Sequence, residues 1–157
     1  GDMDKAVALL REKGLAAANV RVLENSRARV DRPGGVFWVA GLADYDSLRT
    51  KPSYSDTLGD LEGNDPIVAL AHWPDVFAAA PDNVALTLAA HSHCGQVNLP
   101  LFGRLIHAST GSAKWQCGLY EVRGRKLYVT GGVGVSILPV RFLQPPEIAM
   151  VTLRGVS

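Results

Sequence analysis

Ile67-Val68-Ala69-Leu70-Ala71-His72 and Val84-Ala85-Leu86-Thr87-Leu88-Ala89-Ala90-His91-Ser92-His93 decide how this chain is read. Each is a short apolar run that ends in histidine. Gly63-Asn64-Asp65-Pro66 precedes the first and Pro81-Asp82-Asn83 the second. Continuous apolar runs of this length between turn signals read as buried strands. Ligands of open α/β sheets gather outside the carboxyl ends of such strands. Three of the chain's 4 histidines are therefore expected at one rim of one sheet. Neutral imidazole nitrogens meeting there suit a transition metal.

Upstream of these runs, 2–13 reads as a helix capped by Asp2 or Asp4, with Met3, Val7 and Leu10 on one stripe and Gly14 beyond its end. Val20–Leu23 and Ala28–Val30 look like strands, Pro33-Gly34-Gly35 like a turn, and Val36–Leu42 like a buried strand. Asp44–Pro52 is a polar loop, and Ser55–Leu61 a short helix. Between the two histidine strands, Trp73-Pro74 stops the first, and Asp75 is placed to cap a short helix over Val76–Ala80. Downstream, Gly118–Val122 and Lys126–Val129 flank Arg123-Gly124-Arg125 in a hairpin pattern, and Glu147–Leu153 reads as a last strand. The expected fold is α/β: mixed β-sheets with helices on an outer face.

A chain of 157 residues is one domain by length. Its formal net charge of +1 indicates neither a nucleic-acid partner nor a membrane surface, and the Arg123–Lys126 group reads as a solvated turn. No apolar stretch is long enough to span a bilayer. The opening Gly1-Asp2-Met3-Asp4 runs directly into a helix and reads as a piece of something longer. Localisation stays open between cytoplasm and membrane surface, with no targeting signal to choose. The 2 cysteines, Cys94 and Cys117, are too few for a disulfide framework and are expected to be reduced.

His91-x-His93 alone is a common pattern. In a strand, residues i and i+2 point the same way, so both rings can approach one site; His72 on a second strand strengthens ligation against three separately satisfied core histidines. His107 reads as structural. Thr130-Gly131-Gly132-Val133-Gly134-Val135-Ser136 lacks the Gly-Lys-Ser/Thr ending of a phosphate loop, and Pro139 follows too soon for a helix. Its glycines are expected to allow tight backbone near the site mouth. Asp44, Asp46 and Arg49 stand either on the substrate side or in a solvated loop, and Arg141 either on phosphate or in a structural role.

Leu70-Ala71-His72-Trp73-Pro74-Asp75 and Ala90-His91-Ser92-His93-Cys94-Gly95-Gln96-Val97-Asn98-Leu99-Pro100, with Ser136–Phe142 and Pro145–Ile148 downstream, resemble the calcineurin-like metallophosphoesterases. The closest branch is the bacterial group with the signature Gly-His-Thr-His-Gly-Gly-Gln. The resemblance implies the C-terminal half of a four-layer α/β/β/α sandwich. It implies hydrolysis of phosphodiesters or phosphomonoesters by a water that two divalent ions (Mn, Fe, Zn or Ni) activate. By the family's pattern His72 and His91 bind one ion and His93 the other. Gly95, Gln96 and Arg141 stand around them or on the substrate side.

The chain departs from that pattern in three places. Ala90 replaces a glycine before the histidine pair. Cys94 replaces the glycine after it, which demands a backbone that avoids positive φ there. Asp-x-His, Gly-Asp-x-x-Asp and Gly-Asn-His-Asp/Glu, which supply the bridging carboxylate, further ligands and the proton donor, have no counterpart in 1–157. The expectation is the C-terminal part of such a domain, with no catalytic residue of its own, the upstream half as its partner, and little metal or activity in isolation. Two rivals stand beside it. A cupin-type barrel also uses His-x-His, but Val97-Asn98-Leu99-Pro100 occupy the place of its glutamate. A non-catalytic interaction or regulatory module would keep the fold without the chemistry.

Overall fold

The computed structural model describes residues 15, 17–18, 20–47, 49–101, 103–104, 114–136 and 139–154. The expected helix over 2–13 and the setting of His107 lie outside them. The described strands are β1 Ser26–Arg32, β2 Gly35–Gly41, β3 Ile67–Leu70, β4 Val84–Ala89, β5 Asn98–Leu99, β6 Gly103–Arg104, β7 Gly118–Val122 and β8 Arg125–Val129. Six of them form one mixed sheet in the order β1-β2-β3-β4-β8-β7, and β5 and β6 pair separately. β2, β3, β4 and β8 run parallel at its centre. An antiparallel hairpin partner closes each side, β1 against β2 and β7 against β8.

Local chemistry sets both hairpins. Val122 pairs with Arg125 across a two-residue turn, whose central Arg123 and Gly124 take φ 52° and 76°. Two left-handed residues give the turn the twist that the flanking strands require. At the other edge Arg32 pairs with Gly35 around Pro33-Gly34.

One face of the sheet is covered. Ala40, Ile67, Ala69, Ala89, Leu127 and Val129 pack there with Leu58, Phe77 and Trp115. Leu58 comes from a short helix, Tyr54–Leu58, whose N-cap Ser53 accepts from the Asp56 amide. Phe77 comes from a 3-10 helix, Pro74–Ala79. Its ring is 1% exposed and meets Trp115 edge-on at 5.3 Å; burying such a side chain contributes about 1.5–3 kcal/mol. Side chains alternate along a strand, so Leu70, Leu86, Leu88 and Leu119 face the other way. That face is open: Leu70 is 41% and Leu119 64% exposed. Two clefts run along it, one of about 460 Å³ beside Leu23, Leu70 and Leu88, the other of about 610 Å³ between β4–β8 and Ala149–Arg154.

The sheet corrects several expectations. Val20–Leu23 is not a strand: the ladder with β2 begins only at Ser26, which pairs with Gly41, the last residue of β2. Leu23 instead lies against Gly41, where a Cβ would stand 2.3 Å from the Leu23 Cβ. Glu147–Leu153 makes no ladder either. Glu147 is held by its ends, its amide donating to the Gly132 carbonyl and its carboxylate accepting from Tyr128 and Thr130. The expected cap at Asp75 is absent; the 3-10 helix starts one residue earlier, with Pro74 at its first position and no side-chain cap at Trp73. Arg125 is not solvated, being 11% exposed in its side chain with its guanidinium 5.5 Å from the Phe77 ring. Cys94 and Cys117 are not reduced; they form a disulfide. Cys94 has φ 54°, so the expectation of a backbone avoiding positive φ also fails.

Candidate metal and phosphoester site

Because four strands run parallel, their carboxyl ends leave the sheet along one rim. Hydrogen bonds continue beyond the strands and hold the departing chains side by side. The Leu42 amide donates to Leu70, Ala71 to Leu88, Ala90 to His72 and Thr130 to Ala89, at 2.9–3.1 Å. Asp44 therefore follows β2, His72 and Trp73 follow β3, His91 and His93 follow β4, and the glycine loop follows β8.

His72 and His91 meet. His91 Nδ1 lies 3.0 Å from His72 Nε2, and the rings are 4.8 Å apart at 78°. A zinc–imidazole bond is about 2.0–2.1 Å, so two nitrogens this close come within reach of one ion once their mutual hydrogen bond opens and the rings turn toward it. Imidazole pairs of this kind suit Mn, Fe, Zn or Ni, and the donor set fits a divalent cation. Burial pushes the His72 pKa down; Asp44 opposes this, and His91 and His93 add to it. The neutral ring that a cation needs is thereby favoured.

His93 takes another direction. Its Cε1 stands 3.9 Å from a Cβ built on Gly134. Burial lowers its pKa first, the Arg141 guanidinium second, and a hydrogen bond to the Gly131 backbone acts against both. Among the described residues no three His, Cys, Asp or Glu side chains are grouped closely enough to hold an ion together. The pair and the third histidine are thus separate elements of one rim.

The turn that carries these rings has an unusual backbone. His91, His93, Cys94 and Gln96 all have φ between 47° and 61°, and Gly95 has φ 80°. Non-glycine residues in this region cost about 1–3 kcal/mol each and persist only where surrounding structure fixes them. Here three ties do so. Ser92 Oγ donates to the Gln116 carbonyl, Cys94 is bonded to Cys117, and Gln96, fully buried, uses both ends of its amide. Gln96 Nε2 donates to the Val140 carbonyl at 2.8 Å, and its Oε1 accepts from the Ser136 amide at 2.7 Å.

Arg141 has a structural role. Its guanidinium donates to the carbonyls of Gly131, Gly132, Gly134 and Gln144, closing the glycine loop beside His93. The loop is tight at Gly131, where a Cβ would lie 3.2 Å from Cys94 Sγ, and open at Gly132, where a Cβ would meet nothing within 4 Å. Asp44 is part of the rim as well, accepting from Trp73 Nε1 at 3.1 Å. Trp73 reads from the sequence only as a strand terminator, although its place directly after His72 is the available signal.

Comparison with known proteins finds relatives named as metallophosphoesterases. The chain is 34% identical over 125 residues to the uncharacterized metallophosphoesterase YkuE of Bacillus subtilis, a match covering 79% of this chain and 43% of that protein. It is 31% identical over 140 residues to phosphodiesterase YaeI of Escherichia coli, covering 88% and 49%. A transmembrane protein with metallophosphoesterase domain from Danio rerio is 33% identical over 153 residues, covering 89% and 34%. No family model matches, and no solved structure matches significantly. The chain spans about half or less of the length of these relatives. Their names support a relationship to the metallophosphoesterases. Among the described residues no helix is long and apolar enough to cross a membrane.

Proposed function

We propose that this chain is the histidine-bearing, C-terminal part of a calcineurin-like metallophosphoesterase domain that hydrolyses phosphodiesters or phosphomonoesters. The observation that carries the reading is the 3.0 Å approach of His72 Nε2 and His91 Nδ1 at adjoining ends of parallel strands. Shared similarity to proteins named metallophosphoesterase and phosphodiesterase supports it. His72 and His91 hold one cation through these nitrogens, and His93 serves the other. Two divalent ions held there would supply positive charge against phosphoryl oxygens and a lowered pKa for a bound water.

The chain's own residues do three things for that reaction. Neutral imidazoles supply lone pairs, and His72, exposed at the rim, is held toward its neutral form first by partial desolvation. Gln96 and Arg141 hold the turn and the glycine loop at fixed spacing, so that the rings are in place before substrate arrives. Gly95 keeps the turn free of a side chain where a phosphoryl group approaches. The bridging carboxylate, the remaining ligands and the proton donor come from another part of the domain. The open apolar face around Leu70, Leu88 and Leu119 supports this, since a second sheet packed there completes the four layers. The described residues alone bring together too few ligands for a two-ion centre.

Metal analysis and turnover of bis(p-nitrophenyl) phosphate, on the chain and on a longer protein that contains it, test the reading. Loss of turnover in the longer protein on His72→Ala or His91→Ala is expected. Turnover by the chain alone at the longer protein's rate would sink the divided-site account. A longer protein that stays inactive under Mn, Fe, Zn and Ni would point instead to a non-catalytic module.

A further inference from the structure

His91 sits on a turn with φ 61°, where its ring direction is not set by regular secondary structure. Its ring is stacked on the Trp73 indole, centroids 3.5 Å apart and planes 28° from parallel. The indole also meets the His72 ring edge-on at 6.4 Å. Trp73 is fixed in turn from two sides. Its Nε1–H donates to Asp44 Oδ1 at 3.1 Å, and Tyr45 stands edge-on to it at 5.8 Å. Asp44 has no freedom to follow, because the same Oδ1 accepts from the Asp46 amide at 2.8 Å and its carbonyl accepts from the Ser47 amide at 3.1 Å.

Three successive strand ends thus each supply one member of a row: Asp44 after β2, Trp73 after β3, His91 after β4. We infer that Asp44 and Trp73 are positioning residues, which hold the His91 ring so that Nδ1 stays beside His72 Nε2, where both can serve one cation. The inference rests on the proposed metal reading. A histidine ligand without its orienting partner loses affinity by about ten- to hundredfold. The unusual element here is that the partner is an aromatic face. The carboxylate acts one step further out, by fixing that face.

Cobalt(II) serves as the probe, with affinity measured from its visible absorption and from quenching of tryptophan fluorescence in wild type, and from absorption alone where Trp73 is replaced. Trp73→Leu is expected to weaken binding about ten- to hundredfold, while the thermal midpoint of the metal-free protein moves little. Trp73→Phe keeps a ring against His91 but loses the tie to Asp44, and should fall between wild type and Trp73→Leu. Asp44→Asn keeps an acceptor oxygen without the charge and should bind nearly as wild type, whereas Asp44→Ala should resemble Trp73→Phe. Equal loss in Asp44→Asn and Asp44→Ala would show that charge near the cation, and not ring placement, is what matters, and would overturn the inference. So would wild-type affinity in Trp73→Leu while His72→Ala and His91→Ala abolish binding. Cobalt binding untouched by both histidine replacements would instead overturn the metal reading beneath it. Should Trp73→Leu fail to fold, the Asp44 pair and Trp73→Phe carry the same test.

Discussion

Replacing both members of the Cys94–Cys117 disulfide is expected to cost the chain a large share of its stability. The two residues are separated by 23 positions. On the chain-entropy account, a cross-link closing a loop of that length removes about 3.4 kcal/mol of freedom from the unfolded chain. A domain of ordinary stability has about 5–15 kcal/mol in all, so the loss is roughly a fifth to two thirds of the total. Cys94→Ala with Cys117→Ala carries that loss and keeps the burden of a side chain at φ 54°. Cys94→Gly with Cys117→Ala carries the same loss but relieves the left-handed residue, which is worth about 1–2 kcal/mol. Urea unfolding followed by tryptophan fluorescence resolves the two contributions. Both double variants should unfold at lower urea with little change in slope, the glycine form above the alanine form. Midpoints equal to wild type in non-reducing buffer would refute the reasoning, because they would mean that the cross-link constrains nothing. The glycine form falling below the alanine form would show that the turn does not require its left-handed backbone.

Three further outcomes follow from particular residues. Gly41→Ala drives a Cβ to 2.3 Å from the Leu23 Cβ and 2.8 Å from the Leu23 carbonyl oxygen. Since the carbonyl is backbone, the 20–23 segment must shift; a loss of about 1–3 kcal/mol is expected in the same urea assay, and an unchanged midpoint would contradict the packing. Gln96→Leu removes the hydrogen bonds to the Ser136 amide and the Val140 carbonyl, both part-buried, at about 0.5–1.5 kcal/mol for each. Faster hydrogen exchange at Ser136 is the specific check. Finally, the imidazoles of His72 and His93 both titrate below the ordinary value of 6.5. The unfolded chain therefore binds more protons near that pH than the folded one. Stability of the metal-free chain should be complete above the ordinary range and decline as pH falls through it. A thermal midpoint that rises on acidification from pH 7 to 5 would contradict the two shifts.

The parts of the fold visible in the sequence are those whose cause is local. Ile67–Leu70 and Val84–Ala89 were legible because apolar runs between Pro, Asn and Asp have few other uses. The Gly118–Val129 hairpin was legible because Arg123-Gly124 allows two left-handed residues in a row. Parallel strands then place His72 beside His91 without further information. What escaped depends on partners distant in sequence. Val20–Leu23 has the composition of a strand, but the ladder with β2 begins only at Ser26. Glu147–Leu153 alternates suitably, yet Tyr128 and Thr130 capture Glu147 before any ladder starts. Cys94 and Cys117 lie on separate elements, and only the folded turn brings them within bonding reach. Trp73 shows the same limit at the site: its neighbour His72 was noticed, while its stacking on His91 depends on the ends of two strands meeting.

The most direct measurement is the position of zinc in crystals of the protein, located by anomalous scattering at the zinc edge. The account predicts a peak bonded to both His72 Nε2 and His91 Nδ1, each at about 2.0–2.1 Å. A zinc-saturated protein in which those two nitrogens remain hydrogen-bonded to each other, with the ion held elsewhere, would contradict it.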